Sequence, residues 1–221
     1  MYAASAGSLK LYWTLNRERN TRRAMKIAPF CLLASLLLPS VSRAQVPEGV
    51  PVFKILQEGS SVKFHVNASV ALDGTFDKWD ATLTFTSTDL ATGVLDMEIQ
   101  AASVNTGSGM KDNKLKSEDF FDVKQAPLIT FKSTQIVQTS PDTFEVAGNF
   151  TIRGVSKPEK LELKVSGRGT DAGEINGTMA FDRKQYGMNS GIPFIKIADR
   201  VEVTVALKAK RVSGPPVTLK Q

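Results

Sequence analysis

After Gln45, apolar and polar residues alternate with a period of two in a series of short runs. Val62-Lys63-Phe64-His65-Val66-Asn67 alternates strictly, Thr82-Leu83-Thr84-Phe85-Thr86 does the same, and Leu95, Met97 and Ile99 oppose Asp96, Glu98 and Gln100. That period puts successive side chains on opposite faces of a strand. Further runs follow over 127–137, 143–153, 159–168, 174–183 and 200–211, and Asp73-Gly74, Pro141-Asp142 and Asp171 to Gly173 punctuate some of the gaps as turns. The pattern predicts about eight strands with mostly short connections. The chain reads as all-β, its antiparallel sheet closed as a barrel or folded as a sandwich.

One segment breaks the rhythm. Ser108 to Val123 has no period of two, and Ser117 followed by Glu118 and Asp119 reads as a helix N-cap with acids in the first turn. One or two short helices are expected here, between the third and fourth strands, carrying Leu115, Phe120 and Phe121 towards the interior. Phe64, Phe85, Met97, Phe131, Phe150 and Phe181 fall on the apolar phase of six different strands. In a closed barrel they converge on one interior. Eight strands enclose room either for packed side chains or for one slender ligand, and periodicity leaves both readings open.

The first 44 residues are of another kind. Met25 and Lys26 precede an apolar run from Ile27 to Leu38, then Pro39 and Ser42-Arg43-Ala44 before Gln45. A basic start, an apolar stretch of this length and small residues at −3 and −1 mark a cleavable signal peptide. The run is short of the ~20 apolar residues that a membrane-spanning helix needs. Residues 1–24 read as an extended basic region, or as the product of an upstream start with Met25 the initiator. The expected organisation is a signal peptide over 1–44, one β-barrel domain over 45–211 and an unstructured tail over 212–221, with the mature protein in the periplasm or secreted.

Charge supports that division. Residues 1–44 hold seven of the 28 Lys and Arg and one of the 22 Asp and Glu, leaving 21 of each sign in residues 45–221. The basic pI of about 9.4 thus belongs to the leader and argues for no nucleic-acid partner. The one cysteine, Cys31, lies in the leader, so the mature chain has no disulfide and no thiolate chemistry. His65 is the sole histidine and sits on a polar phase. A lone histidine builds no zinc site, and no nucleophile-elbow pattern supplies a triad, so His65 reads as a half-exposed hydrogen-bonding residue. No catalytic residue and no metal ligand is assigned. Arg183, on a polar phase where the seventh strand ends, is expected to hold a carboxylate or carbonyl at the barrel's end, with Gly187 in a positive-φ turn.

Five segments, in order, carry a more specific signal. They are Ser103 to Gly107, Leu115 to Val123, Pro127 with Ile129 to Ser133, Val146 to Val155, and Phe181 to Met188. Together, over about residues 55 to 211, they resemble the YceI-like family of bacterial exported proteins. The openings Val52-Phe53-Lys54-Ile55 and Gly59-Ser60-Ser61 depart from the family's usual Trp-containing strand and His-Ser pair, and the loop Gly191 to Lys196 is individual.

The resemblance implies an eight-stranded antiparallel lipocalin-like barrel with an apolar tunnel for a polyisoprenoid chain, such as a quinone tail, or another amphiphilic lipid. It implies no catalysis and no cofactor beyond a non-covalently held isoprenoid lipid or quinone. It chooses the hollow reading of the interior and makes Phe64, Phe85, Met97, Leu115, Phe120, Phe121, Phe131, Phe150 and Phe181 the expected lining. The partner is then the lipid itself; a transient membrane contact and a homodimer are compatible with it. Two other readings stay open on the residues alone: a small exported enzyme acting on an amphiphile, and a solid-core stress or adhesion module.

Overall fold

The computed structural model describes residues 49–69, 71–167, 171–191 and 196–219. The expected signal peptide and most of the Gly191 to Lys196 loop lie outside the described residues. Within them, ten strands form one antiparallel sheet with a single α-helix. In chain order the strands are β1 (Val52–Ala68), β2 (Leu72–Phe76), β3 (Trp79–Thr84), β4 (Val94–Gln100), β5 (Val104–Asn105), β6 (Leu128–Gln138), β7 (Thr143–Ile152), β8 (Val155–Ser166), β9 (Ala172–Asp182) and β10 (Ile197–Ser213), and the helix is α1 (Gly109–Lys116). The spatial order is β3-β4-β6-β7-β8-β9-β10-β1-β2-β5. The sheet curls so that β3 packs against the first half of β1, where Gln57 Nε2 donates to the Trp79 carbonyl at 2.7 Å.

The all-β antiparallel fold agrees with the alternation in the sequence; the strand count does not. Two short strands are additional. β5 has only two residues, Val104 and Asn105, too few to show a period. β2 contains Asp73-Gly74, expected as a turn, yet both residues pair with β1, Gly74 opposite Phe64 and Asp73 opposite His65. Gly74 stands in a strand because the Phe64 ring fills the space a side chain would need: a β-carbon there would lie 2.4 Å from Phe64 Cζ.

The helix also differs from expectation. Ser108, not Ser117, precedes its first turn, and Ser117 ends it, its hydroxyl donating to the Lys114 carbonyl at 2.7 Å. Asp112 ties the helix to the chain before it by accepting from the Thr106 amide at 2.8 Å and hydroxyl at 2.7 Å. Glu118 and Asp119 belong to the turn that follows. There the Phe121 amide donates to Leu115 at 2.9 Å and the Phe120 amide to Ser117 at 3.1 Å, folding both rings under the helix. Past residue 211, β10 runs on to Ser213, and Thr218 pairs with Asp89, its amide donating to the Thr88 carbonyl at 2.7 Å. Part of the segment expected to be an unstructured tail therefore lies against the domain.

The interior is asymmetric. At one end Leu95, Phe144, Val146, Leu161, Leu163 and Leu207 fill it, and Phe53 and Phe85 meet at 5.7 Å between ring centroids. The other end holds a cavity.

Candidate functional site

The cavity has a volume of about 480 Å³ and an almost wholly apolar wall. Its sides come from the second half of β1 (Val62, Phe64, Val66), the last turns of β7 and β9 (Phe150, Ile152, Phe181) and the first half of β10 (Val201, Val203). Alternation dictates this, because each of these residues occupies the inward phase of its strand. Leu115 from α1 and the rings of Phe120 and Phe121 roof it. Met110 and Lys111, both exposed, are also part of the lining and mark where the cavity meets solvent.

Two aromatic groups shape the wall. Phe64, Phe76 and Phe121 contact one another with centroids 5.6 to 6.4 Å apart, the Phe64–Phe121 pair edge-on at 89°. Phe150, Phe181 and Tyr186 form the second group, 5.1 to 5.5 Å apart. Tyr186 is fully buried behind it, donating its hydroxyl to Glu159 at 2.8 Å. Burial first, then that bond to Glu159, pushes the phenol well above its usual range. It is a rigid neutral prop for the second group.

The mouth is held by two polar nodes. Arg183 is buried, 6 % exposed, at the end of β9. Its Nη1 donates to the carbonyls of Met188 and of Ser190 (3.0 Å), its Nε to Ala198 at 3.1 Å, and its Nη2 to Asp199 at 3.2 Å. It thereby fixes both ends of the β9–β10 connection, and Gly187 makes the reversal in the left-handed region at φ 78°. The second node is Asp119, which accepts from Lys114 on one oxygen and from the Ser190 hydroxyl at 2.8 Å on the other. The Lys114 bond first, then that of Ser190, holds the Asp119 carboxyl below the usual range. Together the nodes join the helix, the turn after it and the β9–β10 connection around one opening. Across the same end, the Ser69 amide donates to the Lys196 carbonyl at 3.0 Å.

Of the nine residues expected to line a tunnel, Phe64, Leu115, Phe120, Phe121, Phe150 and Phe181 line the cavity. Phe85, Met97 and Phe131 are buried but lie outside its lining. Phase alone could not separate the two sets, since inward side chains at both ends of a barrel share it. Missed were the β-branched residues Val62, Val66, Ile152 and Val201, which are on the same inward phase as the aromatic residues and could have been named on it. His65 is on the outer face, its Nδ1 2.8 Å from Asp73 Oδ1 and its Nε2 3.3 Å from Asn67 Oδ1. Among the described residues, no three His, Cys, Asp or Glu side chains cluster as a metal site would require.

Known proteins share this architecture. The protein YceI of Salmonella newport is 34% identical over 143 residues, 63% of this chain and 72% of that protein. Burkholderia cenocepacia BcnA superposes with a TM-score of 0.64 at 24% identity, covering 70% of this chain and 99% of BcnA. A polyisoprenoid binding domain from Saccharophagus degradans superposes at 0.59 with 13% identity, covering 73% of this chain and 99% of that domain. At those identities the two structural likenesses are likenesses of fold. The family model described as the YceI-like domain matches residues 53–209, nearly all of the barrel described above. The chain belongs to the YceI-like domain family.

Proposed function

We propose that this protein is an exported carrier that binds the chain of a polyisoprenoid or other amphiphilic lipid in the cavity beneath α1. The observation that carries the reading is the cavity itself, about 480 Å³ with an apolar, ring-lined wall in a domain of balanced charge. Such a wall accepts a flexible tail by burial and dispersion and asks little polar recognition of it. A domain of the same fold being a polyisoprenoid binding domain supports the same ligand class. Export to the periplasm is part of the proposal and rests on the leader that ends at Ala44.

Energetics favour carriage over trapping. A forty-carbon tail would gain roughly 30 kcal/mol on leaving water at ~0.8 kcal/mol per carbon, beyond the ~20 kcal/mol at which measured affinities saturate. A bilayer offers nearly the same transfer energy, so the protein's net preference is small and exchange with membranes is open to it. The test is mass spectrometry of an organic extract of protein purified from the periplasm. A chain lipid in near-stoichiometric amount is expected. Protein that carries none, and takes up no isoprenoid probe after purification, overturns the reading.

A further inference from the structure

The cavity wall carries few charged side chains, and all have one sign. Lys111, Lys114 and Arg183 are in the lining, and no carboxylate, hydroxyl or amide side chain is part of it. This is a local asymmetry, because residues 45–221 carry 21 basic and 21 acidic side chains.

The three cations differ in what already occupies them. Arg183 is directed at three carbonyls and Asp199. Lys114 pairs with Asp119 and lies over the Phe120 ring, 5.8 Å from its centroid. The Lys111 side chain is exposed and its ammonium enters no ion pair or hydrogen bond among the described residues. Its acidic neighbour Asp112 is turned to Thr106, accepting from the amide at 2.8 Å and the hydroxyl at 2.7 Å. Lys111 and Lys114 stand three residues apart on α1, neighbours on one helical face. Beside them Met110, 85% exposed, extends the apolar wall to the lip.

We infer that the cavity selects an amphiphile with an anionic head, a phosphate or a carboxylate, held at the lip by Lys111 with Lys114 behind it while the tail fills the aromatic interior. The inference rests on the lipid-binding reading above. A neutral head at this lip meets cationic donors and gains a hydrogen bond; an anionic head gains the charge interaction as well. Because the lip is open to solvent, the gain is screened by salt.

Three probes with one tail separate the alternatives: farnesol, farnesyl phosphate and farnesoic acid, titrated into delipidated protein and followed by calorimetry. The acidic probes are expected to bind about tenfold tighter than the alcohol at low salt, with the gap narrowing at high salt and closing in Lys111→Glu. Lys111→Gln, with circular dichroism to verify folding, narrows it less. A gain for phosphate alone assigns a phosphate head, and a gain for both acids assigns the anionic class. Equal affinities for all three overturn the head-group inference and leave lipid binding standing. A gap that survives Lys111→Glu overturns the assignment to Lys111. Failure of every probe to bind overturns the lipid-binding reading itself, and this inference with it.

Discussion

Gly74 on β2 and Phe64 on β1 face each other across one rung of the sheet, and the ring of Phe64 lies where a side chain at position 74 would be. The contact aims that ring into the cavity and against Phe121. Gly74→Ala should push it off its rotamer and cost about 1–3 kcal/mol, as overpacking does. Chemical denaturation measures it, with Gly109→Ala as the control, since no atom lies within 4 Å of a β-carbon there. Equal midpoints for the two variants would show that the ring moves freely.

Arg183 is a prediction about stability. Removing its guanidinium leaves the carbonyls of Met188, Ser190 and Ala198 without their donor and Asp199 without one of its two cations. Arg183→Ala should cost about 3 kcal/mol or more. Arg183→Lys should recover little, because an ammonium lacks the planar fork that reaches several acceptors at once. Thermal melts decide it, and a lysine variant as stable as the wild type would remove the geometric argument.

Blocking substitutions should depend on which side of the interior they enter. Val201 lines the cavity on β10, between Val66 and Phe181, so Val201→Trp has space to occupy and should fold while excluding an isoprenoid probe. Met97 is 3% exposed and outside the lining, so Met97→Trp should overpack the filled part of the core and lose about 1–3 kcal/mol. Paired denaturation and probe-binding curves separate the two effects. A stable Met97→Trp that abolishes binding would extend the cavity further than described.

Acid and base should act on the two ends of the pH scale through different pairs. Hydrogen bonds from His65 to Asp73 first, then Asn67, raise the imidazole above its ordinary 6.5. A raised folded-state value means that this pair's contribution is complete below 6.5 and is lost as pH climbs through the folded value. Since His65 is the only histidine, its proton resonance is unambiguous. Its titration midpoint should lie above 6.5 and fall on Asp73→Asn.

Asp119 and Asp199 run the opposite way. Lys114 and then Ser190 lower the first from its ordinary 3.8, and Lys184's hydrogen bond, with the charges of Lys184 and Arg183, lowers the second. Their contribution is complete above that value and is lost as pH falls through the lowered one. Unfolding midpoints should therefore decline on the acid side, less steeply in Asp119→Asn; identical acid limbs would remove Asp119 from the account.

The strands were legible because an inward and an outward face leave a period of two, and Phe64, Phe150 and Phe181 could be assigned to the interior on it. The hollow was not legible. Whether Met97 or Ile99, two residues apart on β4 and on the same face, borders empty space depends on how far along the barrel each lies. That is set by register across six or more strands, including the β1 irregularity between Leu56 and Ser61. Ser117 misled because a serine before two acids is the usual start of a helix, whereas here Leu115 must be buried from the preceding turn. Arg183 was legible, since a charged residue closing an apolar strand needs acceptors and a strand end supplies carbonyls.

The longest strands, β1 and β10, are the first and last of the sheet in chain order, and they pair with each other from Val52 with Ser213 to Ala68 with Ile197. Every rung of that ladder joins residues more than a hundred positions apart. Closure of so long a loop precedes the energy that rewards it, which slows folding. A chain emerging from its N-terminus holds the whole of β1 with one edge vacant until the last segment is made. The barrel's assembly is thus timed by its final strand, and any truncation within β10 should expose the β1 edge to pairing with other chains rather than produce a smaller barrel.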